Sequence, residues 1–209
     1  MDEPQGLSTQ EWHSKLAEIG EHLQDANKTA EFCVIGGVAC MLQGQEGRTS
    51  MDCDVWLPRS KFNPKAVEEA ALKAGIDFDP MDADPSRPYI QVITPGIVQV
   101  GKFDEAQDLA KSGGLTITAP PTENLIASKL RRADAKDLSD IAFLLSRNTG
   151  VSRADVEGAI QTMPSAQRAE TKEALVYLDV LASEKSLSGH ESAYISGNAP
   201  TQSDRAKPR

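Results

Sequence analysis

"EFCVIGGVACMLQGQEGRTSMDCDVWLP", residues 31–58, begins as an apolar run, stops at two glycines, passes a polar turn and ends in aspartates alternating with apolar residues. Phe32 to Ile35 reads as a short buried strand, and "GGVACMLQG" restarts as a helix that Gly44 can terminate. In "MDCDVWL" the period of two puts Asp52, Asp54 and Trp56 on one face of a second strand, with Cys53, Val55 and Leu57 on the other. Carboxylates at i and i+2 of one face repel each other unless a cation or solvent occupies the space between them, and they project the same way, as chelation of a divalent cation requires. Gly36 and Gly37 end the first strand without a Cβ, so phosphate oxygens can approach the backbone N–H groups there. Each feature also has an ordinary use: D-x-D can be a solvated strand face, and paired glycines can make a tight turn. Neither a Walker A sequence nor G-x-G-x-x-G occurs, which removes the usual NTPase and dinucleotide readings.

Working outward, Trp12, Leu16, Ile19 and Leu23 recur at helical spacing between Thr9 and Asn27. The resulting amphipathic helix needs a sheet to cover it. Asn63 to Ala74 is helix-like, with Pro64 in its first turn and Gly75 at its end. "DFDPMDADPSRP" is an exposed acidic loop, after which "YIQVI", "IVQVG" and "LTITA" read as strands, the first two joined by the turn "TPG". Beyond Pro120 the pattern becomes helical over Thr122–Arg132, Ala135–Ser146, Ser152–Thr162 and Ala166–Glu184. From Ser186 the chain is polar and nearly free of apolar residues, as expected of a disordered tail. The fold class is α+β, a mixed sheet with flanking helices followed by a C-terminal helical bundle. The expected organisation is a flexible N-terminus (1–9), an α/β domain (10–119), a helical region (120–185) and the tail (186–209).

The 209 residues can bury one substantial core, and a net charge of −9 argues against broad attraction to nucleic acids or membranes, so any RNA contact has to be local. No window approaches the roughly 18 apolar residues of a spanning helix, and no leader pattern opens the chain, so the expected location is cytoplasmic, with no membrane partner. Cys33, Cys40 and Cys53 lack C-x-x-C spacing and sit among apolar residues, which marks them as buried free thiols. His13, His22 and His190 form no pair at ligand spacing.

The Gly-Gly turn followed by D-x-D resembles the nucleotidyltransferase fold of the polymerase-β superfamily. More narrowly, residues 34–58 resemble its AbiEii-like and DUF6036-type branch, in which Gly-Gly or Gly-Ser, a helix, an Arg with Thr or Ser, and D-x-D follow one another. Arg48 and Ser50 fall at the Arg and hydroxyl positions of that pattern. A second block, "PPTENLIASKLRRADAKDLSDIAFLL", is similar to the helical segment of the same branch, with Lys129, Lys136, Asp137 and Asp140 at the matching positions. The resemblance spans roughly Glu31 to Leu145.

It implies a nucleotide site with Asp52 and Asp54 as ligands of Mg²⁺ or Mn²⁺, and with Gly36, Gly37, Arg48, Ser50 and Lys129 on the nucleotide. It implies Asp52, Asp54, Lys129 and Asp137 as the catalytic set, Lys129 meeting the triphosphate and Asp137 orienting a lysine or capping its helix. The implied activity is transfer of a nucleoside monophosphate from an NTP to a hydroxyl acceptor, tRNA or protein, as the toxin of a type IV toxin–antitoxin or phage-defence system with a cognate antitoxin or partner protein. Lys129, Arg131 and Arg132 as a solvated helix face, and Asp137 as an N-terminal helix charge, remain the ordinary alternatives.

One departure matters. Catalytic members of the superfamily carry a third carboxylate on a later strand beside D-x-D, and the best counterpart here, "YIQVI", puts Gln91 in that slot. An amide cannot serve as a general base near neutral pH. Asp104, or one of Asp77, Asp79, Asp82 and Asp84, could fold in to replace it. The alternatives to an enzyme are therefore a nucleotide-binding or partner-binding module without turnover, acting as antitoxin or sensor, and a plain interaction scaffold.

Overall fold

The computed structural model describes residues 6–82, 84, 86–181 and 183. Residues 1–5 of the expected flexible N-terminus and the tail expected from 186 lie outside the described residues. In chain order the elements are β1 (Leu7–Ser8), α1 (Thr9–Asp25), β2 (Ala30–Ile35), α2 (Gly36–Leu42), β3 (Thr49–Ser50), β4 (Asp52–Trp56), α3 (Pro64–Lys73), β5 (Asp77–Phe78), β6 (Tyr89–Ile93), β7 (Gln107–Ser112), β8 (Leu115–Ala119), α4 (Thr122–Leu130), α5 (Ala135–Arg147), α6 (Arg153–Gln161) and α7 (Ser165–Glu173).

Six strands form one mixed sheet in the order β5-β6-β4-β2-β8-β7, while β1 and β3 pair separately. Strand β2 runs antiparallel to β4 and parallel to β8, and β4 runs parallel to β6. The architecture is α+β, a mixed sheet with flanking helices. Helix α1 lies against β7, β8 and α3, and its apolar stripe Trp12, Leu16, Ile19 and Leu23 is fully buried. Each such side chain contributes about 1.5–3 kcal/mol on leaving water. The Trp12 indole also donates to the Ser50 carbonyl at 3.0 Å, tying the start of α1 to β3, just before the strand that carries the aspartates. Leu7 and Ser8 pair with Ser50 and Thr49, and Ser8 caps α1 in a capping box with Glu11.

Helix α4 is the centre of the C-terminal helices: Leu125, Ile126, Ala127 and Leu130 are wholly buried, with α5 and α6 packed against it and α7 on α6. These helices share one continuous apolar core with the sheet. All three cysteines are buried free thiols.

Three expectations need correction. "IVQVG" is a turn and loop, not a strand. A hairpin partner needs a free edge on β6, but β6 lies between β4 and β5, and just past β5 the Asp79 carboxylate accepts the Val92 N–H at 3.0 Å. Strand β7 forms where the polar run "QDLAKS" gives no strand signal; it is an outer strand, held to β8 across the two-residue turn Gly113-Gly114, where Gly113 has φ +50°. The last helix does not run unbroken from Ala166 to Glu184. Helix α7 ends at Glu173, and the chain turns at Ala174 and Leu175 with tight i→i−3 bonds from Leu175, Tyr177 and Leu178. That turn lets both Leu175 and Leu178 enter the core.

Candidate functional site

The strand-to-helix turn after β2 is built around the missing side chains of two glycines. Gly36 has φ +70°, and a Cβ there would collide with Oδ2 of Asp54. A Cβ on Gly37 would lie 2.7 Å from an Arg48 guanidinium nitrogen and 3.5 Å from the Ser50 hydroxyl. Helix α2 is only seven residues long, and no side chain caps it, so its first N–H groups have no side-chain acceptor. Close approach of the Asp54 carboxylate and the Arg48 guanidinium, rather than a helix dipole, is what the missing side chains allow here.

Asp52 and Asp54 are half-buried on β4, their neighbour Cys53 facing fully into the core. The Ser50 hydroxyl donates to Oδ1 of Asp52 at 2.7 Å. Burial, then the nearby Asp52 charge, pushes the Asp54 carboxyl up to about 7, with Lys129 and Arg132 pulling the other way. The same causes, burial followed by Asp52 and Asp54, raise the phenol of Tyr89. A cavity of about 690 Å³ opens above these groups, lined by Gly36, Gly37, Arg48, Ser50, Asp52, Asp54 and Lys129, and also by Tyr89, Arg132, Asp134 and Lys136. Thus every residue expected at the site except Asp137 and Asp140 lines one cavity.

Behind the cavity wall runs a chain of ion pairs. Asp140, wholly buried on α5, accepts from Lys129 Nζ at 2.6 Å and from Arg48 Nε at 3.1 Å. Asp137, also buried, accepts from Arg132 through Nε at 2.7 Å and Nη2 at 2.9 Å, and lies 3.7 Å from Lys129 Nζ. Lys129 is therefore a paired cation held in place. Asp137 does not cap α5: Asp134 does, accepting the Asp137 N–H at 2.9 Å. Arg132 and Tyr89 were absent from the expected set. The local signal for Arg132 was its place five residues before Asp137, whereas Tyr89 becomes visible only once β6 is laid beside β4.

Strand pairing settles the neighbour of the aspartates. In the parallel register of β4 and β6, Asp54 stands opposite Gln91 and Asp52 opposite Tyr89. None of the five substitute aspartates lines the cavity. Asp77 pairs with Arg87 at 2.8 Å, Asp79 is bonded to β6, Asp84 accepts from Ser86, and Asp82 and Asp104 are exposed. Among the described residues no group of three or more His, Cys, Asp or Glu side chains could hold a metal ion. Two carboxylates with a clear approach suit a hard cation such as Mg²⁺ that keeps waters and takes further oxygens from a phosphate ligand. No family model, no curated protein and no solved structure matches the chain.

Proposed function

We propose that the chain is a metal-dependent nucleotidyltransferase, binding an NTP with Mg²⁺ or Mn²⁺ in the 690 Å³ cavity and moving its nucleoside monophosphate to a hydroxyl acceptor. The observation that carries this reading is the convergence of Asp52 and Asp54, the side-chain-free Gly36–Gly37 turn and four cations, Arg48, Lys129, Arg132 and Lys136, on one cavity. Asp52 and Asp54 fit the metal, which when bound neutralises phosphate charge and activates the acceptor oxygen. Gly36 and Gly37 admit phosphate oxygens to backbone N–H groups. Arg48 and Lys129, pinned by Asp140, face the same cavity with little freedom to lose when a phosphate arrives.

In the reaction the acceptor oxygen bonds to the α-phosphorus, the bond from that phosphorus to the bridging oxygen breaks, and pyrophosphate leaves. The acceptor proton passes to water, since the position beside Asp54 is Gln91. Phosphoryl chemistry rests mainly on positioning and charge, so a missing base slows transfer without forbidding it. With tRNA or protein as acceptor, the biological setting is a type IV toxin with a cognate antitoxin, or phage defence.

A second reading, a metal–nucleotide-binding antitoxin or sensor without turnover, is favoured by the same Gln91. The test is incubation with each α-³²P-labelled NTP, Mg²⁺ and total tRNA, with the protein's own label measured in parallel. Label moved by the unaltered chain and not by Asp52→Ala supports transfer, and Gln91→Glu should then increase it. Mg²⁺-dependent nucleotide binding without label in any acceptor supports the second reading.

A further inference from the structure

We propose that Tyr89 is itself an acceptor, its phenol oxygen taking the nucleoside monophosphate so that the chain labels itself within its own cavity; this rests on the nucleotide reading of that cavity. Strand β6 supplies the geometry. In the parallel register with β4, Tyr89 stands opposite Asp52 and Gln91 opposite Asp54, while Ile90 between them is wholly buried on the other face. Register partners share a face of the sheet and neighbouring strands lie about 4.8 Å apart, so the ring rises beside the two carboxylates. Its root is fixed, because the Tyr89 N–H donates to the Met51 carbonyl at 2.9 Å. A tyrosine is longer than an aspartate, and the half-buried ring lines the open cavity. Burial, then the charges of Asp52 and Asp54, raise the phenol, which puts the hydroxyl within the field of both carboxylates.

Three hydroxyl side chains line the cavity among the described residues: Thr49, Ser50 and Tyr89. Ser50 is committed, since its hydroxyl donates to Oδ1 of Asp52 at 2.7 Å. Thr49 is exposed and precedes Ser50 on β3, so the period of two turns it to the opposite face of that strand. The Tyr89 hydroxyl has no hydrogen-bond partner among the described residues and is the one left free on the carboxylate face. In the transfer the phenol oxygen bonds to the α-phosphorus, the bond from that phosphorus to the bridging oxygen breaks, pyrophosphate leaves and the phenol proton passes to water. The product is a phosphodiester between Tyr89 and the nucleoside. Arg48, Lys129, Arg132 and Lys136 line the same cavity and meet its negative charge, so the adduct stays where the next NTP would bind. Each chain thus accepts once and closes its own site.

The experiment is incubation of the whole chain with Mg²⁺ and each of the four common α-³²P-labelled NTPs, without added acceptor, followed by peptide mass mapping, with calorimetric NTP binding measured on the same preparations. The expected result is one nucleoside monophosphate per chain, on the peptide that carries Tyr89, at a rate per chain independent of chain concentration, and loss of NTP binding from the labelled chain. Tyr89→Phe keeps the ring and should still bind NTP in Mg²⁺ while its label falls to background. Tyr177→Phe, at an exposed tyrosine outside the cavity, should label as the unaltered chain does. Mapping on the unaltered chain decides the matter even where Tyr89→Phe fails to fold. Label confined to other residues, label undiminished in Tyr89→Phe, or NTP binding with no label on the chain overturns the acceptor while keeping the nucleotide site. A rate per chain that rises with chain concentration places the attack between molecules and overturns it too. If no NTP binds in Mg²⁺, the nucleotide reading itself fails.

Discussion

The cavity has two charged walls that obey opposite rules. On the helical side Arg48, Asp140, Lys129, Asp137 and Arg132 form a closed chain in which each buried carboxylate holds two basic side chains within ion-pair distance. On the sheet side Asp52 and Asp54 stand together, and among the described residues no cation is bonded to either; Asp52 accepts from the Ser50 hydroxyl, and the Asp54 carboxyl is pushed up to about 7. A closed network of buried charge holds elements in place, whereas an open pair of carboxylates carries repulsion that an added cation can relieve. The first wall is architecture and the second is where chemistry is expected.

The sharpest way to break this contrast is Asp140→Ala. Removing it leaves Lys129 and the Arg48 guanidinium without their shared partner in a buried setting, and stability should fall by about 3–5 kcal/mol, read as a lower denaturant midpoint. An unchanged midpoint would mean the network is not structural.

Asp54→Asn should have the opposite sign. The folded-state value near 7 lies above the ordinary carboxylate value of 3.8, so the unaltered chain loses stability as pH rises through that interval, and the loss is complete above 7. At pH 8 without metal the variant should be more stable by roughly 1–3 kcal/mol, the difference vanishing near pH 4. Mg²⁺ should restore the unaltered chain and leave the variant alone. A pH-independent difference in thermal midpoint would sink this account of Asp54.

Gly36→Ala probes the junction of the two sides. The left-handed backbone at Gly36 costs an alanine about 1–2 kcal/mol, and its methyl would press on the Asp54 carboxylate. Chemical denaturation should show that loss, together with weakened Mg²⁺-dependent nucleotide binding. The smallest effect is expected at Ala133, a non-glycine residue with φ +47° between Arg132 and Asp134. Ala133→Gly should raise stability by about 0.5–1 kcal/mol by relieving that backbone; a decrease would mean the site tolerates alanine without strain.

The sheet wall was legible in the sequence because its determinants are local. Periodicity of two placed Asp52 and Asp54 together, the glycine pair marked the turn, and "YIQVI" was the right neighbour, with Gln91 opposite Asp54. The helical wall was legible only as residue types. Arg48 and Asp140 are 92 positions apart, and no spacing rule joins them. Strand β7 escaped because an outer strand needs little apolar surface, although the glycine pair before "LTITA" was a hairpin signal. The false strand at "IVQVG" shows the converse: apolar alternation is not enough when both edges of the neighbouring strand are occupied.

The central claim is that Asp52 and Asp54 hold a metal–nucleotide complex. It is tested most directly by titrating the unaltered chain and Asp52→Ala with ATP, GTP, CTP and UTP, in Mg²⁺ and again in EDTA, with thermal midpoints recorded on the same samples. The expected result is binding of an NTP by the unaltered chain in Mg²⁺, none in EDTA, and none by an Asp52→Ala variant whose thermal midpoint is unchanged or higher. NTP binding that persists in EDTA or in a folded Asp52→Ala variant, or its absence from the unaltered chain in Mg²⁺, would contradict it.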